Sequence, residues 1–153
     1  SGQIVYDLYS GTGGIAISLA DRVQKVIGFE LIPQSIEDAK INCQINAIDN
    51  CHFIQGDLKE NLTHPHEVRA QSGKPDVIII DPPRSGLHPK LPEKILQLKP
   101  EKIIYVSCNP TTLARDLNLI CSASTFRPVV VQPIDMFPHT AHCEVVAPLT
   151  EFK

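Results

Sequence analysis

The sequence lacks the features that identify several classes of protein. No apolar run approaches the roughly 20 residues that a membrane-spanning helix requires, and no signal peptide opens the chain. The five cysteines include no Cys-x-x-Cys pair, and an odd number does not complete a disulfide framework or a zinc ribbon. The net charge of −3 argues against a freestanding nucleic-acid binder, because such proteins are usually basic. We therefore expect a protein of the reducing cytoplasm that does not cross a membrane.

What the sequence does contain is a regular alternation of strands and helices. Short apolar runs predict strands at 4–8, 26–30, 52–55, 76–80 and 103–106. Helical spacing predicts helices at 15–23, 33–46, 91–98 and 111–121, with a short helix and a surface loop within 59–75. This alternation predicts an α/β fold with a mostly parallel, doubly wound sheet that is covered on both faces.

The end of the chain breaks the alternation. Two late strands, 129–131 and 144–147, have no helix between them and predict an antiparallel addition at one edge of the sheet. Residues 1–153 have the size of a single domain. Because the first strand begins almost at residue 1, we expect this domain to be part of a longer protein.

Residues that carry chemistry follow the ends of the predicted parallel strands. A glycine turn follows the first strand, and four further side chains end or follow the next four strands: Glu30, Asp57, Asp81 and Cys108. In open α/β sheets, ligands bind outside the carboxyl ends of the strands. The sequence therefore predicts one site at this edge.

The glycine turn, from Gly11 to Ala16, fits a loose G-x-G-x-x-A pattern and has Glu30 at the distance typical of a ribose-binding acid. It is compatible with a dinucleotide, with S-adenosylmethionine, or with a tight turn that binds nothing. Asp7 would be unfavourable beside a pyrophosphate but favourable near a zwitterionic methionine, and Asp57 is placed to accept from an adenine amino group. These two acids favour S-adenosylmethionine.

Cys108 ends a strand and precedes a helix, whose amino terminus favours a thiolate. A buried structural cysteine is the alternative interpretation. A reactive thiol would suit methylation at carbon 5 of a uracil, since its addition at carbon 6 turns the ring into a nucleophilic enolate. A separate base must then remove the carbon 5 proton, and Glu144 is the candidate.

The segment before Glu144 also suggests a metal site, because His139, His142 and Cys143 are all metal-ligand types. In an extended segment, however, residues 142–144 alternate between faces and do not point at one ion. We therefore expect no metal.

Three motifs in this order resemble those of a known family. They are Asp81-Pro82-Pro83-Arg84-x-Gly86, Ser107-Cys108-Asn109-Pro110 and Asp135-Met136-Phe137-Pro138-x-Thr140-x-His142-x-Glu144. With the turn Asp7-Leu8-Tyr9-Ser10-Gly11-Thr12-Gly13, they resemble the catalytic domain of the RNA uracil-5-methyltransferases, which form 5-methyluridine in transfer RNA and large ribosomal RNA.

The resemblance implies a Rossmann-like S-adenosylmethionine-dependent methyltransferase in which Cys108 is the nucleophile and Glu144 the proton acceptor. It places Asp81 at both the target base and the cofactor, and it implies a cofactor site formed by Tyr9, Gly11, Thr12, Gly13, Glu30, Asp57 and Asp81. It also implies an RNA substrate, ribosomal or transfer, that is bound largely by domains outside this chain. Arg84, Lys90, Lys94 and Arg115 are candidates for phosphate contacts. Three alternatives stay open: a base-amino methyltransferase that uses Asp81-Pro82-Pro83 alone, a dinucleotide-binding oxidoreductase, and a non-catalytic chain that by itself folds and binds the cofactor weakly without turnover.

Overall fold

A computed structural model describes residues 2–136, 138–140 and 142–152. In this part of the chain the strands are β1 Ile4–Leu8, β2 Lys25–Glu30, β3 Cys51–Gln55, β4 Val77–Ile80, β5 Lys102–Ser107, β6 Phe126–Pro128, β7 Gln132–Ile134 and β8 Glu144–Glu151. The α-helices are α1 Gly14–Leu19, α2 Pro33–Ile45, α3 Leu58–Asn61, α4 Pro65–Ser72, α5 Leu91–Gln97 and α6 Pro110–Ser122, and a 3-10 turn spans Ala20–Arg22. None of these helices is both long and apolar enough to cross a membrane.

The strands form one mixed sheet with the order β3-β2-β1-β4-β5-β8-β6, in which β7 also pairs with β8. All pairings among the first five strands are parallel, namely β1–β2, β2–β3, β1–β4 and β4–β5. Strand β8 is antiparallel to β5, β6 and β7. This topology confirms the predicted doubly wound sheet with an antiparallel edge. Its parallel strands bring their carboxyl ends to one edge of the molecule.

The core lies on both faces of the sheet because successive side chains of a strand point in opposite directions. On one face, Tyr6 and Leu8 of β1 belong to a large cluster that includes Ile95 of α5 and Ile120 of α6. On the other face, Val5 packs in a smaller cluster with Val26, Ile79 and Ala16 of α1. Burial on both faces explains why β4 reads as the uninterrupted apolar run Val77-Ile78-Ile79-Ile80.

The predicted strand at 129–131 is wrong. The edge instead consists of β6 and β7 on either side of this stretch, and Val129, Val130 and Val131 are exposed. Pro128 pairs with Leu149 and Gln132 with Val146, so three residues lie opposite two residues of β8. This is the geometry of a bulge. One of the two opposing residues is Pro148, which has no N–H to donate to a ladder.

Two smaller differences concern segment ends. The stretch 59–75 contains most of α3 and all of α4, two short helices instead of one. Strand β4 begins at Val77, because the side chain of Asp76 accepts a hydrogen bond from the Ile4 amide (2.7 Å) and the Asp76 amide donates to the Ile4 carbonyl (2.8 Å). Phe137, part of the last predicted motif, lies outside the described residues.

Candidate active site

The turn after β1 is shaped by residues with positive φ. Tyr9 (φ 66°) leaves the strand, and Gly11 (φ 52°) and Gly13 (φ 83°) complete the turn before α1. A left-handed backbone strongly favours glycine. At Gly13 a Cβ would also lie 3.1 Å from the Phe53 ring and 3.2 Å from Ala39, so packing reinforces the preference.

Glu30 joins this turn to the end of β2. Its carboxylate accepts hydrogen bonds from the Gly11 amide (2.9 Å) and from the Ile32 amide (2.8 Å). Each oxygen of a carboxylate retains further lone pairs. Glu30 is therefore held in place by the backbone while it can still accept from hydroxyl groups of a ligand.

A cavity of about 430 Å³ opens next to Glu30. This volume is in the range of small-molecule sites. Its walls come from the ends of β1 and β2, the start of α3, the loop that follows β4, and α6. They include Tyr9, Phe29, Leu31, Asp57, Leu58, Gly86, Leu87 and Arg115. Two predicted cofactor residues, Tyr9 and Asp57, thus line one cavity, and Glu30 lies between two lining residues. Gly11, Thr12 and Gly13 form the adjoining turn.

Asp57 is the N-cap of α3 and remains ionised. Its side chain accepts from the Lys59 amide at 2.8 Å, and the Lys59 ammonium lies 3.2 Å from the other oxygen. The bond from the Lys59 amide, aided by the Lys59 charge, lowers the pKa of Asp57. Burial, together with the charges of Asp57 and Asp116, raises the pKa of Tyr9 to about 12, so the cavity is lined by a neutral phenol.

Four acidic residues lie around the same strand ends. Asp7 is fully buried, and neither of its oxygens has a hydrogen-bond partner among the described residues. Burial, followed by the charges of Asp81 and Glu30, raises the pKa of Asp7 to about 7, although the nearby Ala16 backbone amide, which forms no well-aligned hydrogen bond with it, lowers the pKa slightly. Burial and the charge of Glu144 raise the pKa of Asp81. This concentration of carboxyl groups favours a cationic ligand.

The strand register places Cys108 and Glu144 at the same end of the β5–β8 pair. Ser107, the last residue of β5, pairs with Val145 of β8; Cys108 directly follows Ser107, and Glu144 directly precedes Val145. Cys108 is a free, partly exposed cysteine. Its bend is fixed because the Ser107 hydroxyl accepts from the Asn109 amide and donates to the Asn109 carbonyl, both at 3.0 Å.

Side chains from the three predicted motifs also contact one another. The side-chain Nδ2 of Asn109 donates to the backbone carbonyl of Arg84 at 3.1 Å, and the Thr112 hydroxyl donates to the same carbonyl at 3.2 Å. The Arg84 guanidinium lies 3.1 Å from Nδ1 of His142 and must be the donor, since guanidinium has no acceptor. The loop after β4, the Cys108 bend and the segment before Glu144 therefore form one edge of the site.

The contacts of some residues differ from what the sequence predicted. Arg115, a candidate for phosphate contact, instead bonds to the buried Asp116 and to loop carbonyls. Lys94 donates to the Lys59 carbonyl at 2.5 Å. Asp116 was not predicted at all, and its only signal is an acid at a core-facing position of an amphipathic helix. Within the described ranges, no three His, Cys, Asp or Glu side chains are grouped to hold a metal ion.

The fold is that of the Rossmann-like S-adenosylmethionine-dependent methyltransferases. The ribosomal protein L11 methylase of Lactobacillus delbrueckii subsp. bulgaricus shares it with a TM-score of 0.71 at 16% identity, over 99% of this chain and 72% of that one. The Pyrococcus abyssi tRNA (uracil-54, C5)-methyltransferase, solved with S-adenosyl-L-homocysteine, matches with a TM-score of 0.79 at 40% identity, over 98% of this chain and 34% of that one.

The chain belongs to the tRNA (uracil-5-)-methyltransferase family, whose sequence profile matches residues 1–151. An uncharacterised RNA methyltransferase of Bacteroides thetaiotaomicron is 51% identical over 94% of this chain, and one of Porphyromonas gingivalis is 49% identical over 94%. The chain spans only 31% and 30% of the lengths of these two relatives. The family recognised from the three motifs is thereby confirmed.

Proposed function

We propose that the protein containing this chain transfers a methyl group from S-adenosylmethionine to carbon 5 of a uridine in RNA. The observation that supports the proposal is the β5–β8 register, in which Cys108 directly follows the paired Ser107 and Glu144 directly precedes the paired Val145, at the carboxyl end of β5. The named activity of the Pyrococcus abyssi relative, which is 40% identical, supports the same chemistry. The RNA is ribosomal or transfer RNA, and the reaction takes place in the cytoplasm.

The residues around the cavity fit the cofactor. Glu30, held by two backbone amides, would accept from ribose hydroxyls, and Asp57, which lines the cavity, would accept from the adenine amino group. The carboxyl of Asp7, buried without a hydrogen-bond partner in the described structure, suits a cationic methionine portion. Gly11, Thr12 and Gly13 would approach that portion through their backbone, and Tyr9 and Asp81 would border the reactive group. When bound, S-adenosylmethionine supplies an electrophilic methyl group.

In the proposed reaction the Cys108 thiolate forms a bond to carbon 6 of the uracil. The electron pair of the carbon 5–carbon 6 double bond moves into the ring as an enolate, which makes carbon 5 nucleophilic. Carbon 5 then bonds to the methyl carbon as the bond from that carbon to the sulfonium sulfur breaks, which leaves S-adenosylhomocysteine as the product. The Glu144 carboxylate then removes the carbon 5 proton. The electrons of that carbon–hydrogen bond restore the double bond, and the carbon 6–sulfur bond breaks to release the thiolate.

Asp81 has a separate role in this scheme. Because its pKa is raised by burial and by the charge of Glu144, its carboxyl holds a proton more readily than an exposed aspartate. We expect Asp81 to contact the target base while it also borders the cofactor.

RNA that contains 5-fluorouridine tests the proposal, because the fluorine at carbon 5 cannot be removed as a proton. The full-length protein should form an adduct with this RNA that survives denaturation, and Cys108→Ala should form none. Cys121→Ala, which alters another partly exposed free cysteine on α6, is the matched control and should form the adduct normally. With ordinary uridine, Glu144→Gln should accumulate the methylated adduct.

Two results would reject this assignment. Normal methylation by Cys108→Ala would exclude the covalent route and favour the base-amino methyltransferase. Failure of the full-length protein to bind S-adenosylhomocysteine, together with binding of NAD, would favour the oxidoreductase.

A further inference from the structure

A buried carboxylate lies behind the cavity, on α6. Asp116 is fully buried and accepts three hydrogen bonds: from the Tyr105 hydroxyl (2.5 Å), from the Leu87 amide (2.7 Å) and from Nε of Arg115 (2.8 Å). These donors come from β5, from the loop after β4 and from α6 itself. A buried carboxylate with all three partners is well satisfied, whereas removal of its charge leaves the donors uncompensated.

Arg115 bridges the Asp116 carboxylate and the loop after β4. Its Nη2 donates to the carbonyls of Ser85 (3.0 Å) and Leu87 (3.1 Å) and lies 2.8 Å from Asp116. Guanidinium holds several acceptors in one plane, which makes it suited to such bridging. Both the amide and the carbonyl of Leu87 are therefore fixed by the same pair of side chains.

Gly86 shows how closely the loop approaches the pair. Its φ is +75°, and a Cβ there would lie 2.5 Å from Oδ2 of Asp116 and 2.6 Å from Nη2 of Arg115. Ser85, Gly86, Leu87 and Arg115 all line the cavity. One wall of the cavity thus rests on the Asp116–Arg115 pair rather than on apolar packing alone.

We propose that Asp116 and Arg115 are positioning residues that act as one unit to hold residues 85–87 as the wall of the cofactor cavity. The inference rests on the proposed function, because it takes the cavity to be the cofactor site. Neither residue is assigned a chemical step. Their joint effect is on the shape of the cavity and hence on cofactor affinity.

Calorimetric titration of S-adenosylhomocysteine tests this inference with Asp116→Asn, Arg115→Gln and the double variant. Each single variant should weaken binding about tenfold, as expected for loss of a hydrogen bond to a charged group. The double variant should lose about the same as either single variant, because both act through one network. Asp49→Asn, at an exposed position, is the matched control and should bind as the wild type does.

Hydrogen exchange supplies a readout that general destabilisation would not reproduce. The Leu87 amide should exchange about tenfold faster in Asp116→Asn, while amides of β1 and β2 keep wild-type rates. Arg115 is half-exposed, so Arg115→Gln keeps the test decisive if Asp116→Asn fails to fold.

Two results would overturn the inference while the proposed function stands. One is that Arg115→Gln binds S-adenosylhomocysteine with wild-type affinity. The other is that the double variant loses binding free energy equal to the sum of the two single losses. Failure of the wild-type protein to bind S-adenosylhomocysteine would instead refute the proposed function, and the inference with it.

Discussion

Replacement of Asp7 by asparagine should remove a strong pH dependence of stability. Asp7 is fully buried, and burial and the charge of Asp81 raise its pKa from 3.8 to about 7. The folded state therefore binds a proton that the unfolded state has already released between these two values. Stability from this group is fully present below the unfolded pKa and is lost as the pH rises through about 7.

The rise in the pKa of Asp7 from 3.8 to about 7 corresponds to a change of roughly 4 kcal/mol in the free energy of unfolding. Of this, roughly 2.5 kcal/mol should be lost between about pH 5 and about pH 8, because over most of this interval the folded state holds a proton that the unfolded state lacks. Asparagine has nearly the same shape and does not ionise, so it keeps the packing but removes the titration. The wild-type protein should thus lose more stability over this interval than Asp7→Asn does.

Urea unfolding of the cofactor-free wild-type protein and of Asp7→Asn, each at about pH 5 and about pH 8, measures how much stability each protein loses. Asp49→Asn, which changes an exposed aspartate, should retain the wild-type dependence. If Asp7→Asn loses as much free energy of unfolding as the wild type, then Asp7 does not carry the buried proton and the reasoning is refuted.

Two further predictions follow from the same region. Binding of cationic S-adenosylmethionine should lower the pKa of Asp7, which is about 7 in the free protein, and release protons near neutral pH. Calorimetric binding enthalpies should then depend on the ionisation enthalpy of the buffer, and identical enthalpies in different buffers would contradict this prediction. Gly28→Ala should destabilise the fold by about 1–3 kcal/mol, because its Cβ would lie 2.5 Å from the Phe53 ring. Gly14→Ala, with no atom within 4 Å of the added Cβ, is its control and should not destabilise.

The parallel part of the fold could be predicted because its physical causes are local. Strands buried on both faces must be apolar throughout, which is why Val77–Ile80 was recognisable. The stretch 129–131 also consists of β-branched apolar residues, but it forms no strand, because its pairing depends on Pro148 in a strand that follows it. Propensity describes a residue, whereas a ladder also depends on the partner strand.

The site likewise has a part that could be predicted from the sequence and a part that depends on contacts formed only in the folded chain. The strand-end rule placed Glu30, Asp57, Asp81 and Cys108 at one edge, and their catalytic or binding roles stay predictions. The register that brings Glu144 and Cys108 to the same end of the β5–β8 pair depends on an antiparallel pairing that no local pattern specifies. Asp116 was missed because its donors, Tyr105 and the Leu87 amide, are close to it only in the folded chain.

Release of tritium from RNA that carries a label at carbon 5 of uridine tests the central claim most directly. With the full-length protein and S-adenosylmethionine, the account predicts about one tritium released for each methyl group transferred, because Cys108 activates carbon 5 and Glu144 removes its hydrogen. Methyl transfer with the tritium retained in the RNA would contradict it.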